Sequence, residues 1–400
     1  MAEAALSSTA STSASPSAHA WLSPSVVIVG GGFGGLYTAL ALAGKRQHPP
    51  LLLIEPNERF LFLPLLYELL SGELRSWEIA PRYDTLLAGR GVAWLRDRVQ
   101  SIDADARTLT TAGGRTLPFS RLVMATGGDT ESFGIPGVME HALFFRTLHD
   151  VEKLRQLVDT LRLRRTALQR IAVVGAGPSG VELACKLADL IDGSAVVELI
   201  EQGPTALPQA KAFNREQALA ALQRRDVRLR TGLGVTALEA QQLRLSDGSS
   251  LAVEATVWTA GLRLNPPPIH PAPARDSRGR LLCTPELQLH QHPHLFAVGD
   301  VAALPDEPLP ATAQVAFQQA DCLADNLMRA DAGEALKPFS FNDLGEMLSL
   351  GVGEATLTGM GVTLAGKAAF QLRRLAYLAR LPGTPHQLRV AAGWLADWGR

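Results

Sequence analysis

Thiols are scarce in this chain. Its 400 residues hold three cysteines, Cys185, Cys283 and Cys322, far apart and in no C-x-x-C or zinc-type spacing. That argues against a disulfide framework and against a cysteine metal site, and it suits a reducing compartment. No sign of charge dominates either: 38 Lys+Arg stand against 39 Asp+Glu, so nothing calls for nucleic acid as a partner. The stretch 1–24 is rich in Ala, Ser and Thr. It lacks the basic and apolar blocks of a secretory leader and the arginines of a transit peptide, and is expected to be a disordered tail. Long uncharged apolar runs are missing with one exception, Val26 to Gly44, which is long enough to cross a bilayer. Its five glycines between Gly30 and Gly35 suit a tight turn instead. His290, His292 and His294 alternate, but Pro293 interrupts them and no acid or thiol joins them. A loop without metal is expected there.

What the chain does have is a repeat. VVIVGGGFGGLYTALAL (Val26–Leu42) and IAVVGAGPSGVELACKL (Ile171–Leu187) each run from an apolar strand through G-x-G-x-x-G into a helical pattern. The glycines are Gly30, Gly32 and Gly35 in the first copy, and Gly175, Gly177 and Gly180 in the second. The first glycine permits the strand-to-helix turn, the second lets backbone approach a pyrophosphate, and the third lets helix pack on strand. Glu55 closes a second strand 20 residues past Gly35, and Glu201 does so 21 past Gly180. An acid at that place accepts hydrogen bonds from ribose hydroxyls. LFAVGD (Leu295–Asp300) is an apolar strand ending in Gly-Asp, where Asp300 can accept from a ribityl hydroxyl of FAD; a surface acid after a buried strand is the bland alternative. LVMATGG (Leu122–Gly128) and VWTAGL (Val257–Leu262) close the two halves.

The expected fold is α/β: two Rossmann-like dinucleotide-binding domains, one inserted in the other, plus a small C-terminal membrane-associating region. The boundaries are 25–144 and 266–340 for the FAD-binding domain, 145–265 for the NAD(P)H-binding domain and 341–400 for the terminal region.

Several further segments carry a family resemblance. RFLFLPLLYELLSGEL (Arg59–Leu74), ATGGDTESFGIPG (Ala125–Gly137), VWTAGLRLNP (Val257–Pro266) and LPATAQVAFQQAD (Leu309–Asp321) make the chain resemble type II NAD(P)H:quinone dehydrogenases from Val26 to Trp398. WEIAPRY (Trp77–Tyr83), FNDLGEMLSLG (Phe341–Gly351) and RRLAYLARLP (Arg373–Pro382) are similar to the cyanobacterial and plastid branch that reduces demethylphylloquinone. The resemblance implies FAD as cofactor and NADH or NADPH as co-substrate. It implies hydride transfer to the flavin, then two electrons to a membrane quinone, without proton pumping. It carries FAD contacts to Phe33, Gly34, Ala125, Gly127 and Val315, and nicotinamide contacts to Ser179 and Gly261. It sets Glu182 near nicotinamide and flavin, and Gln314 and Gln318 at the quinone pocket. It also implies peripheral attachment to the cytoplasmic side of a thylakoid or plasma membrane.

Each of these has a plainer alternative. Glu182 suits a helix N-terminus electrostatically, and Gln314 and Gln318, at i and i+4, could form a solvated polar face. The segment from Lys367 to Arg400 carries Lys367, Arg373, Arg374, Arg380, Arg389 and Arg400 with Asp397 as its acid. Ala368, Leu372, Leu375, Ala376 and Ala379 form one apolar stripe, and Leu388, Ala391, Trp394, Leu395 and Trp398 another. Two basic amphipathic helices suit a lipid surface, and packing on the protein's own core or in a homodimer is the alternative. A soluble reductase of an iron–sulfur protein and a flavin-bound redox sensor are the rival functions. No cysteine stands between Gly30 and Leu74, so electrons leaving a flavin there do not pass to a disulfide of the chain.

Overall fold

The computed structural model describes residues 26–164, 169–305 and 308–398; the expected tail, 1–24, lies outside them. The first fingerprint strand, Val26–Val29, sits inside a six-stranded sheet. The order is Gln288–Leu289, His292–Ala297, Arg121–Met124, Val26–Val29, Leu51–Ile54, Val92–Leu95, and all neighbours run parallel except the first pair. These short apolar runs are buried on both faces, as parallel strands require. Alternate side chains go to opposite layers. Val26, Ile28, Leu51 and Leu53 join the helical core, while Val27, Val29, Leu52 and Ile54 pack with a meander containing Val99–Asp103, Thr108–Thr111 and Thr116–Pro118.

The second fingerprint repeats this plan. Its parallel sheet runs Arg228–Arg230, Val196–Ile200, Arg170–Val174, Ala255–Trp258, with the meander Val235–Glu239, Gln242–Leu245, Ser250–Ala252 on one face. After it the chain returns to the first sheet through His292–Ala297. Residues Ile135 to Phe144 already pack with the second unit, ahead of the expected start at 145. Leu143 N–H donates to Thr256 O at 2.9 Å, and Trp258 N–H to Leu143 O at 2.8 Å. The histidine segment also departs from expectation. His292 and His294 lie in a strand, because the short hairpin with Gln288–Leu289, in which His292 pairs with Leu289, extends it back to His292, and Pro293 falls in that hairpin's register irregularity, where no ladder N–H is needed. Among the described residues no group of three His, Cys, Asp or Glu side chains is placed to hold a metal ion.

The terminal region is a three-stranded antiparallel sheet, Glu346–Ser349, Ala355–Gly359, Val362–Gly366, followed by helices Lys367–Leu378 and Thr384–Trp398. Among the described residues no helix is long and apolar enough to cross a membrane. The turn Ser349–Glu354 docks this region on the rest of the chain. Three carboxylates take its amides: Glu182 accepts from Ser349 N–H at 2.7 Å, Asp189 from Val352 N–H at 2.7 Å, and Glu73 from Gly353 N–H at 2.9 Å.

Gly351 makes that approach possible. Its φ is +117°, and a Cβ there would meet Arg225 Nη2 at 2.2 Å and Asp189 Oδ2 at 2.4 Å. Gly351→Ala is therefore expected to cost about 2–3 kcal/mol from backbone strain and from displacing the Asp189–Arg225 pair. Denaturant unfolding of the two proteins would reveal it; an unchanged midpoint would refute the account.

Candidate active site

The two cradles match almost atom for atom. Gly30 has φ +100° and Gly175 φ +98°, and a Cβ on Gly35 or Gly180 would lie 1.8 Å from the carbonyl oxygen of Gly30 or Gly175 respectively. At Gly32 and Gly177 a Cβ would meet nothing within 4 Å, which is the opening a pyrophosphate needs. Helices Phe33–Ala43 and Pro178–Ile191 start directly behind these glycines, with no side-chain cap on either N-terminus. Their first-turn N–H groups can therefore serve an anion.

The two acids also match. Glu55 accepts from Gly31 N–H at 2.7 Å and Asn57 N–H at 2.9 Å; Glu201 accepts from Ala176 N–H at 2.7 Å and Gly203 N–H at 2.7 Å. Each carboxylate ties its glycine turn to the end of the second strand. Glu55 Oε1 also accepts from Asn57 Nδ2 at 2.7 Å, which leaves Glu55 Oε2 and both oxygens of Glu201 with a lone pair for a ribose hydroxyl. The glycine turn is thus held by the same acid that the sequence suggested as a ribose acceptor.

The first cradle has features the second lacks. Asp300 follows its strand in a turn held by Gly299 N–H to Gln319 Oε1 at 2.6 Å. A cleft lined by Asp300, Pro310 and Val315 opens there. Burial raises the Asp300 carboxyl, opposed by Arg146. The Thr126 hydroxyl is buried without a hydrogen-bond partner, whereas the matching place of the second unit, against Gly175, is held by Ala260, which has no hydroxyl. Beside the open glycine that both cradles share, a half-buried acid and an orphaned hydroxyl fit a larger, hydroxyl-bearing nucleotide such as FAD. Gly34 leaves room for Val298, and Phe33 packs edge-on to Phe60, Phe62 and Phe317.

The closing loops of the two units meet. Asp129 and Arg263 exchange both backbone hydrogen bonds at 2.8 Å. Gly128 lies against Leu262, and Gly261, at φ +76°, leaves room for the Phe133 ring. Gly127 also takes positive φ, +60°. Ala125 backs Gly30, and Ser179 sits exposed in the first turn behind Gly177.

Gln314 and Gln318 lie on helix Ala313–Asp331 as the spacing suggested, but their amides already have partners. Gln314 donates to Gly345 O and accepts from Leu344 N–H, both at 3.1 Å; Gln318 donates to Asn342 O and accepts from Asn342 N–H, both at 2.9 Å. They hold the segment 342–345, and one N–H of each amide remains. That segment leads straight to Ser349 and so to Glu182.

Glu182 lies in the second turn of its helix, buried, and is more than a surface acid at a helix N-terminus. Around it is a charge cluster that sequence patterning missed. Arg373 is fully buried; it donates to Glu68 Oε1 and, at 2.6 Å, to Pro64 O, and lies 3.7 Å from Glu182 Oε1. Buried Lys186, one turn beyond Glu182, pairs with Glu73. Burial pushes Glu182 up to about 7, against the pull of Arg373 and the Ser349 amide. Arg373 was expected among the bases facing lipid; it faces inward because Glu68 and Glu182 require a cation.

A model of the family described as pyridine nucleotide-disulphide oxidoreductase matches residues 24–320. The chain belongs to the pyridine nucleotide-disulphide oxidoreductase family. Its relatives place it in the type II NAD(P)H:quinone dehydrogenase branch. It is 39% identical to a demethylphylloquinone reductase of Synechocystis, over 94% of this chain and 97% of that one. It is 35% identical to an alternative NAD(P)H-ubiquinone oxidoreductase of Arabidopsis thaliana, over 93% of this chain and 80% of that one. The fold is that of the NDH2 of Plasmodium falciparum solved with NADH, at a TM-score of 0.80 and 17% identity, over 91% of this chain and 96% of that one.

The disulphide of the family name has no counterpart in this member. All three cysteines are free, and burial pushes the thiols of Cys185 and Cys283 up to about 12. The residues that patterning overlooked, Glu68, Ser349 and Arg373, lie in the segments that carry the branch resemblance, and nothing in their spacing predicts that they meet.

Because Gly177 opens into free space, Gly177→Ala is expected to keep the parent Tm while weakening NADH binding by about tenfold or more. Thermal unfolding and a fluorescence titration would separate the two effects. A loss of Tm with unchanged affinity would mean that Gly177 is structural.

Proposed function

We propose that this chain is an FAD-dependent NAD(P)H:quinone oxidoreductase without proton pumping. Gly30, Gly32, Phe33, Gly34, Gly35, Glu55, Ala125, Gly127, Asp300 and Val315 hold FAD. Gly175, Gly177, Ser179, Gly180, Glu201 and Gly261 hold the nicotinamide dinucleotide. The domain limits are those expected from the sequence, with the second unit recruiting Ile135 to Phe144. The carrying observation is the contact of the closing loops at Asp129 and Arg263, which brings the ends of two pyrophosphate cradles to one place.

Bound FAD would supply the redox chemistry, hydride acceptance from the nicotinamide and two-electron delivery to the acceptor. The chain's part is to orient and to exclude water. Glu55 and Glu201 fix the glycine turns, and the remaining N–H groups of Gln314 and Gln318 suit a quinone carbonyl. Glu182 is a buried acid on the helix behind the second cradle. Glu201 accepts from a ribose 2′-hydroxyl and repels a 2′-phosphate.

The purified protein is expected to release free FAD on denaturation. It is expected to reduce a short-chain naphthoquinone with NADH, and with NADPH less well. Release of FMN would overturn the cofactor assignment. Slow turnover with every quinone alongside rapid reduction of a small iron–sulfur protein would favour that rival.

The quinone is reached at a lipid surface by the terminal helices, as a peripheral protein. The stripe Ala368, Leu372, Leu375, Ala376 and Ala379 is exposed along its whole length, and Leu375, Leu388 and Leu395 are 58%, 66% and 71% exposed. Ala391 and Trp394 are half-buried, and the Trp398 side chain lies outside the described residues. The other face of these helices is committed to the fold. Arg374 lies 4.2 Å over the Trp394 ring, Arg389 4.9 Å over the Trp77 ring, and Trp394 donates to Glu78 Oε1 at 2.8 Å. Ending the chain after Gly366 would therefore strip Arg373 from two buried carboxylates, costing roughly 3–5 kcal/mol, so the helices are needed for the fold as well as for attachment.

Replacing Leu375, Leu388 and Leu395 together by Ser leaves that packed face intact. The variant is expected to keep its flavin and Tm while losing liposome affinity by more than about tenfold, since each buried leucine contributes roughly 1.5–3 kcal/mol. Co-sedimentation with anionic vesicles would decide it. Undiminished binding would move the lipid contact elsewhere on the surface.

A further inference from the structure

Two buried carboxylates compete for one buried guanidinium. Glu68, from helix Leu66–Leu70, receives the direct hydrogen bond from Arg373 Nη1, while Glu182 stands 3.7 Å from Nη2, beyond hydrogen-bond reach. Ser349 spans the pair: its amide donates to Glu182 Oε1 at 2.7 Å and its hydroxyl to Glu68 Oε1 at 3.3 Å. Glu68 Oε2 and Arg373 Nε are buried with no hydrogen-bond partner.

Among the described residues, the surrounding groups do not supply a second cation. Tyr67 on the Glu68 helix, Tyr377 on the Arg373 helix and Cys185 beside Glu182 are neutral at pH 7, burial raising each of them. Lys186 is committed to Glu73. Arg155, from helix Leu148–Arg164, spends its guanidinium on the carbonyls of Leu69 and Leu70. With both carboxylates ionised, the cluster carries one uncompensated negative charge in a low-dielectric interior, where such a charge is strongly disfavoured. One proton cancels it. Because Glu68 holds the cation, Glu182 is the group left to carry that proton.

We propose that Glu68 is a positioning residue that lets Glu182 hold a proton by taking the direct hydrogen bond of Arg373, which leaves Glu182 at 3.7 Å. The use of that proton rests on the reading of the site as a quinone reductase. Converting NAD(P)H and quinone to NAD(P)⁺ and quinol moves two electrons and one hydrogen nucleus with the hydride, and consumes one further proton. The Glu182 O–H supplies it to the quinone oxygen, and solvent restores it. The carboxylate left behind is the state that Arg373 and the Ser349 amide tolerate.

The competition makes a directional prediction. In Glu68→Gln the like charge is gone and the guanidinium is free to turn to Glu182, so the Glu182 proton should be lost at a pH lower by about 1–3 units, the usual effect of an adjacent arginine on a carboxylate. The test is an infrared titration of the oxidised holoenzyme without acceptor, following the carbonyl stretch of a protonated carboxyl. Wild type should lose such a band near pH 7, Glu182→Gln should lack it, and Glu68→Gln should lose it at lower pH. Glu68→Asp, which keeps a weaker hold on Arg373, should move it the same way by less, and serves if Glu68→Gln does not fold. In steady state with a soluble quinone, the pH above which turnover falls should move down with the band.

A band that survives in Glu182→Gln, or a midpoint that stays put in both Glu68 variants, would overturn the proposal. Since the titration uses no acceptor, a shifted band in an enzyme that fails to reduce quinones would leave the carboxylate coupling standing and would sink the quinone reading instead.

Discussion

A guanidinium buried between carboxylates from different parts of the chain has to be matched, or the fold does not close. Arg373 comes from helix Lys367–Leu378 of the terminal region, Glu68 from the unit of the first cradle and Glu182 from the helix of the second. Burying a charged group without its partners is costly, so each of the three pieces fixes the others. The terminal region is held as much by this cluster, and by three carboxylates gripping the Ser349–Glu354 turn, as by apolar packing. A surface helix laid on by hydrophobic contact alone would be free to slide; one pinned by a buried ion pair is not.

That constraint gives the first terminal helix, Lys367–Leu378, two faces of different character. The inward face carries Arg373 and Phe370 into the core, and Arg374 stacks on Trp394 to tie the two helices together. The outward face leaves a row of leucines and alanines bare. An amphipathic pattern usually means an apolar face turned inward. Here the apolar stripe is the outward one, because the core position is taken by a charge that has partners waiting for it. This inversion leaves an exposed apolar face and a structural ion pair in one segment.

The two cradles show how duplication can be kept and bent. The acid-to-amide clamps of Glu55 and Glu201 are the same to within a few tenths of an ångström. The difference lies in what surrounds them. The first unit adds Asp300 and the unsatisfied Thr126 hydroxyl, while the second has Ala260 at that place. A group with more hydroxyls to satisfy fits the first.

The sequence by itself determined the two fingerprint turns, their acids, the α/β architecture and the return of the chain to its first sheet. These follow from local rules: glycine where backbone must turn or approach, apolar runs where strands are buried on both faces, and an acid at a fixed distance along a β-α-β unit. It also showed the apolar stripes of the terminal helices, since 3.6-residue periodicity is written in the chain. Tertiary structure alone decided which way those stripes face, that Gln314 and Gln318 hold the segment 342–345, and that Glu68, Glu182, Ser349 and Arg373 form one cluster. Glu68 and Arg373 are 305 residues apart. No periodicity links them, and each alone looks like an ordinary charged residue on a helix. Their meaning comes from burial, and burial of a charge depends on what three separate segments bring to the same point.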